Sequence, residues 1–147
     1  EYMRHQHNIN IGERTAEEIK INGGSALPEL DNPPDEYIVR GPHQMTALPV
    51  EVGITYDEIA HCLDKSITKI EAAIISVLEQ TPPELYSDIY QNGIHLTGGG
   101  ALLRGLGKRV SEKTNIEVHT AEDALHAVAR GTGIALKNVD KFRFLMR

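Results

Sequence analysis

The chain has 147 residues, 40% of them hydrophobic and 24% charged, with 15 Lys and Arg against 21 Asp and Glu for a formal net charge of −6. That is the size and balance of one globular domain or part of a larger one, and its acidic excess argues against nucleic acid as a partner, since a phosphate-backbone binder needs a cationic surface. No run approaches the ~18 apolar residues of a membrane-spanning helix, and the lone Cys62 allows no internal disulfide, which points to a reducing cytoplasm and to a small buried apolar side chain.

The opening residues Tyr2-Met3-Arg4-His5-Gln6-His7 have no cap before them and read as the end of a helix, as in a piece of a longer protein. Nothing in them resembles a signal peptide. After Gly12, Thr15-Ala16-Glu17-Glu18 fits a capping box that opens a short helix to about Lys20 or Ile21, closed by Gly23-Gly24-Ser25. Residues 28–34 form an acidic, proline-bearing loop. Two β-rich segments, residues 37–40 and 48–54, make an antiparallel pair with a turn predicted at Gly41-Pro42.

Thr55-Tyr56-Asp57-Glu58 is a second capping box. The stripe Leu63, Ile67, Ile70, Ile74, Val77 and Leu78 keeps helical spacing on one face, so this helix runs to about Gln80. Thr81-Pro82-Pro83-Glu84 is a third box, with proline at the first helical position, opening a helix to about Tyr90. A buried strand at residues 93–97 precedes three glycines and a helical stripe of Leu102, Leu103, Leu106 and Val110 ending near Asn115. A strand at residues 116–120 and a helix at residues 123–137 follow. Strand, helix, strand, helix implies parallel pairing in an α/β layer. The tail, residues 141–147, mixes basic and apolar side chains and could touch a membrane surface or a partner, or be a frayed or docked terminus.

The triple glycine stands where a strand hands over to a helix. It fits a tight turn, or equally a backbone that comes close to a ligand beside helix amides. It matches neither the dinucleotide fingerprint nor the Walker A pattern. Glu17 and Lys20 share a helical face and could grip a ribose or base edge, or form an ordinary solvated ion pair. His5 and His7 lack the further ligands of a metal site, and His95 and His119 read as packed strand residues. No nucleophile triad is recognisable from spacing.

Leu96-Thr97-Gly98-Gly99-Gly100-Ala101-Leu102-Leu103-Arg104-Gly105-Leu106 resembles the adenosine motif of the bacterial actin homologues. Gly12-Glu13-Arg14-Thr15-Ala16-Glu17-Glu18-Ile19-Lys20 is similar to the MreB family, as are Thr81-Pro82-Pro83-Glu84-Leu85, Ala121-Glu122-Asp123 and Val128-Ala129-Arg130-Gly131-Thr132-Gly133, in the same order. The glycines alone would also suit the cell-division actin FtsA or the heat-shock chaperone ATPases; the nine-residue motif separates MreB from them.

The resemblance implies the C-terminal half of an actin-like, ribonuclease H-like ATPase fold. Residues 1–12 would end a connecting helix of inner subdomain IIA, residues 13–55 would form the small α+β outer subdomain IIB, and residues 56–147 the rest of IIA and the tail. It implies that Glu17 and Lys20 contact ribose and adenine, and that Gly98, Gly99, Gly100, Ala101 and Leu102 line the nucleotide on its other side. The implied cofactor is ATP with Mg2+, the metal held by an N-terminal half that also supplies the phosphate hairpins and catalytic groups, none of which has an equivalent here. Self-assembly into filaments, a membrane-anchored adaptor such as RodZ, the cell-wall synthesis machinery and the inner face of the cell membrane are the implied partners and place. Two other readings are a partner-binding module without enzymatic activity and a nucleotide-binding kinase or chaperone of the same superfamily. In the family three strands of the inner sheet precede these residues, so only the strands near Ile94 and Val118 are expected to pair. The small insert is expected to be peripheral, its sheet leaning on the helix of Thr15.

Overall fold

The computed structural model describes residues 1–142; the end of the basic and apolar tail, residues 143–147, lies outside the described residues. Helix α1, Tyr2–His7, ends at Asn8 in the left-handed conformation that Asn tolerates at a helix end. Helix α2 spans Glu13–Gly23. Its cap is Gly12, whose carbonyl accepts from Ala16 N at 3.0 Å, so Thr15 lies inside the helix and its predicted box does not form. The extended backbone of Gly12 lets the helix begin three residues before the expected start.

Strands β1, Tyr37–Pro42, and β2, Pro49–Ile54, pair antiparallel with Val39 opposite Val52 and Tyr37 opposite Ile54. The turn lies at residues 43–48 rather than at Gly41-Pro42, closed by His43 N to Leu48 O at 2.8 Å. Gly41 serves another purpose: a Cβ there would stand 2.7 Å from Asn10 O, so glycine lets the chain after α1 cross β1 closely. That crossing is held by Asn10 N to Pro42 O at 3.0 Å.

Helix α3, Tyr56–Glu79, carries the predicted capping box at Thr55, with the Thr55 amide donating to Glu58 Oε2 at 3.4 Å. Helix α4, Pro83–Asn92, has Pro83 at its first position as expected, but Pro82 is its cap and Thr81 Oγ1 donates back to Val77 O at 2.8 Å. Proline offers no side-chain acceptor, so the third box is absent.

Strand β3, Ile94–Leu96, pairs parallel with β4, Val118–Thr120. Among the described residues this sheet has two strands, as the family resemblance implies. Neither strand is buried: His95 is exposed while Ile94 and Leu96 are half-buried. The stretch after β3 divides where one helix was expected, into a 3-10 helix, Gly99–Leu102, and helix α5, Leu106–Thr114, because Gly105 takes a positive φ between them. Helix α6, Ala127–Lys137, starts four residues later than predicted, after a turn in which His126 N reaches Asp123 O.

Two apolar clusters carry the packing. Met3, Ile9, Ile19, Val39, Ile54 and Ile59 join α1, α2, the β1–β2 hairpin and the start of α3. Ala26, Ile67, Leu106 and Val110 join α3, α5 and the loop after α2, with Leu63 half-buried against both clusters. Thus the hairpin does lean on α2. The α3 stripe is buried at Ile67 but open at Ile70 and Val77, and α6 contributes no buried residue, with Val128, Ile134 and Leu136 exposed. Cys62 is a free, exposed thiol on α3 rather than a buried one, since it lies off the Ile59–Leu63–Ile67 face. No described helix is long and apolar enough to cross a membrane.

Candidate functional site

A cavity of about 470 Å³ opens between α2 and the glycine segment. Glu17, Lys20, Ile21 and Gly24 form one wall, and Gly99, Gly100, Leu102 and Leu103 the other. Ile67, Ile70 and Leu106 make an apolar floor, and Leu125 closes one side. Five of the seven residues singled out by sequence therefore meet in one concavity. Gly98 and Ala101 stand behind it: Gly98 turns the chain at φ 81 with its amide on Ala124 O at 2.7 Å, and Ala101 is buried.

The two walls differ chemically. Lys20 Nζ and Glu17 Oε2 lie 2.6 Å apart with both side chains about half exposed, so the pair adds little to stability and remains available to a polar ligand. Opposite them, a Cβ built on Gly100 would meet nothing within 4 Å, and one on Gly99 only Leu125 Cδ2 at 3.4 Å. Neither residue has a positive φ, so neither packing nor backbone strain requires glycine at 100. What the missing side chain provides is open space beside a main chain. Exposed Leu102 and Leu125 flank that space with apolar surface of the kind a flat ring covers.

Two other concavities lack this combination. A groove of about 660 Å³ between α3, α4 and β3 is lined by Ile70, Ile74, Val77, Ile89 and Ile94, with Lys69 its one charged group. A cavity of about 370 Å³ lies on the other side of α2, where Tyr2, Ile19, Ile59 and Cys62 share it with the stems of Glu17 and Lys20. Among the described residues no three His, Cys, Asp or Glu side chains gather where they could hold a metal ion.

Sequence reasoning missed the residues that fix this geometry. Arg104 Nη1 donates to Asn22 O at 2.8 Å and Gly24 O at 3.4 Å. Arg109 Nη1 donates to Ala26 O at 2.9 Å, its Nη2 to Asp64 at 2.8 Å, and its Nε to Glu71 at 2.5 Å. Glu71, with Asp64 and against the effect of burial, holds the Arg109 guanidinium protonated more firmly than usual. These contacts span 38 to 83 residues of chain, and only the run of Arg104 and Arg109 just after the glycines hinted at them.

The architecture is that of the C-terminal half of an actin-like fold, an α/β unit with a small α+β insert. A solved structure of MreB5 of Spiroplasma citri bound to AMPPNP superposes with a TM-score of 0.87 at 37% identity, over 95% of this chain and 41% of that one. The MamK double helical filament, at 19% identity and TM-score 0.64, shares the fold.

Residues 1–144 match the family model for MreB/Mbl protein, and the chain belongs to that family. It is 45% identical to the cell shape-determining protein MreB of Escherichia coli K12 over 139 residues, and 41% identical to the cell shape-determining protein Mbl of Bacillus cereus over 140 residues. Each match covers 95% of this chain but about two fifths of the relative.

Proposed function

We propose that this chain supplies the adenosine-holding part of a nucleotide cleft in an actin-like cytoskeletal protein that determines cell shape. The observation that carries the reading is the meeting of the Glu17–Lys20 edge with Gly99 and Gly100 across one cavity, where Gly100 has no internal reason to be glycine. In this reading a purine lies between the two walls on the apolar floor. Glu17 and Lys20 take the ribose hydroxyls and the base edge, the main chain of Gly99 and Gly100 borders the ligand, Leu102 packs against it, and Gly98 and Ala101 support that wall from behind. Solved relatives crystallised with AMPPNP and with ADP support an adenine nucleotide.

The phosphates and Mg2+ would then be held by residues outside these 147, and ATP hydrolysis with them. Residues 13–55 would act as the outer subdomain and the remainder as the inner one. Filament formation under the cell membrane, attachment to a membrane-anchored adaptor such as RodZ, and organisation of cell-wall synthesis complete the reading. Calorimetric titration of the complete protein with ATP and Mg2+ tests it: saturable binding that Gly100→Val removes is expected. Binding that survives Gly100→Val would overturn the site, and failure of the nucleotide-loaded protein to pellet as polymer would overturn the filament role.

A further inference from the structure

We infer that Arg104 is a positioning residue that sets the width of this cleft, holding the Glu17–Lys20 wall of α2 at a fixed distance from the glycine wall. The inference rests on the nucleotide reading above and extends it to a residue that does not line the cavity. Arg104 lies two residues beyond the 3-10 helix that carries Gly99 and Gly100, so whatever it grips is tied to the glycine wall. It grips the end of the opposite wall. The last carbonyls of a helix have no partner within it, and the Arg104 guanidinium takes Asn22 O at 2.8 Å and Gly24 O at 3.4 Å. A cation there also faces the negative end of the α2 dipole.

The main chain of Arg104 closes the same junction. Its carbonyl accepts from Ala26 N at 2.8 Å and from Ser25 Oγ at 3.5 Å, and Ser25 is fully buried. Gly24 completes the fit, because a Cβ there would stand 3.1 Å from Leu103 Cδ1 and far too close to Lys20 O. Lys20 is one helical turn before this grip and Glu17 two, so a rotation of the α2 end would carry both away from Gly99 and Gly100. A planar guanidinium can hold two carbonyls at once, whereas a lysine ammonium on a flexible stem holds that geometry less well. Truncating the Arg104 side chain leaves its main-chain bonds to Ala26 and Ser25, buried Ile19 and Arg109 on Ala26 O in place, so the end of α2 loosens without the fold being lost.

The test uses the complete protein with Arg104→Ala and Arg104→Lys, titrated with adenosine, ADP and ATP. Arg104→Ala is expected to weaken all three by one common factor of about tenfold, since the effect is at the adenosine end, and Arg104→Lys to recover part of it. In a Glu17→Ala background the effect of Arg104→Ala should shrink, although the two side chains are not in contact; equal factors in both backgrounds would overturn the proposal. A second readout needs no ligand: spin labels at Ile21→Cys and Leu102→Cys, both exposed positions, in a Cys62→Ser protein. Arg104→Ala should broaden the label-to-label distance distribution and Arg104→Lys should do so less. An unchanged distribution would overturn the clamp even if affinity fell. If the unsubstituted protein bound none of the three ligands, the nucleotide reading would fall and the label distances alone would decide the clamp.

Discussion

Arg109 Nε and Glu71 Oε1 meet at 2.5 Å where the guanidinium side chain is 16% exposed and the carboxylate 7%. The pair joins α5 to α3, and the same guanidinium reaches Ala26 O on the loop after α2. Removing one partner leaves a buried charge without compensation. Arg109→Met is therefore expected to destabilise the protein by about 3 kcal/mol, the range for breaking a buried ion pair. Arg109→Met with Glu71→Leu should lose less than half as much, because two apolar side chains suit that site better than one orphan carboxylate. Urea unfolding of both variants measures the difference; equal losses would show that packing of the Arg109 stem, not the charge, is what matters.

Glu58 ties α1 to α3 and gives the protein an acid limb. Its Oε1 accepts from the Tyr2 hydroxyl at 2.9 Å and lies 2.8 Å from His7 Nε2. Burial alone would push this carboxyl up, but the bonds from Tyr2, His7 and the Thr55 amide outweigh it and hold it below its ordinary value. A depressed folded pKa means stability that is present above the unfolded value, about 4.3, and is lost as pH falls through the folded value. The stability gap between the unsubstituted protein and Glu58→Gln should thus be present at about pH 5.5 and close as pH drops below about 4. Urea midpoints across that range measure it, and a gap that stayed constant to pH 3 would refute the assignment.

Local chemistry was legible where a signal was short-range and unopposed. Thr55 caps α3 and Pro83 opens α4, and the Ile59–Leu63–Ile67 face packs inward. The boxes at Thr15 and Thr81 failed because a neighbour, Gly12 or Pro82, took the cap position, a competition that the four-residue pattern does not register. Gly41-Pro42 has turn composition, yet the constraint on Gly41 comes from Asn10, thirty-one residues earlier in the chain. At the site, spacing placed Glu17 and Lys20 on one face and marked the glycines, but not that they face each other. That depends on Arg104 reaching Asn22 across 82 residues, and on Ile67 and Leu125 arriving from separate elements.

The acidic loop after α2 divides into a packed part and a free part. Gly105 has Leu27 Cδ1 at 3.1 Å and Leu30 Cδ2 at 3.3 Å from a built Cβ, so those two leucines lie over the turn that follows the glycine wall. Residues 31–33 are exposed. Replacing Asp31, Asn32 and Pro33 by Gly-Ser-Gly in the complete protein should change polymer yield in a pelleting assay. Nucleotide affinity should stay within about threefold, or ~0.65 kcal/mol. A larger loss of affinity would place the loop in the cleft.

The glycines of the site separate fold from ligand. Gly98 has φ 81 and ψ 174, a region that residues with a Cβ avoid, so Gly98→Ala should destabilise the protein by about 2 kcal/mol whether or not a ligand is present. Gly100 has no such demand, and its missing Cβ faces no protein atom within 4 Å. Gly100→Val should therefore change unfolding stability by less than about 1 kcal/mol, as surface substitutions do. If a nucleotide fills the space beside Gly100, the same variant should lose more than about tenfold in ATP affinity, because a branched side chain occupies the volume that the ligand needs. Glu17→Ala should lose less, since truncating a half-exposed carboxylate removes one hydrogen bond worth about 1 kcal/mol. Thermal unfolding without nucleotide and calorimetric titration with ATP and Mg2+, run on all three variants, separate the two effects. Unchanged affinity for Gly100→Val, with the fold intact, would mean that the three glycines form only a turn and that the nucleotide lies elsewhere.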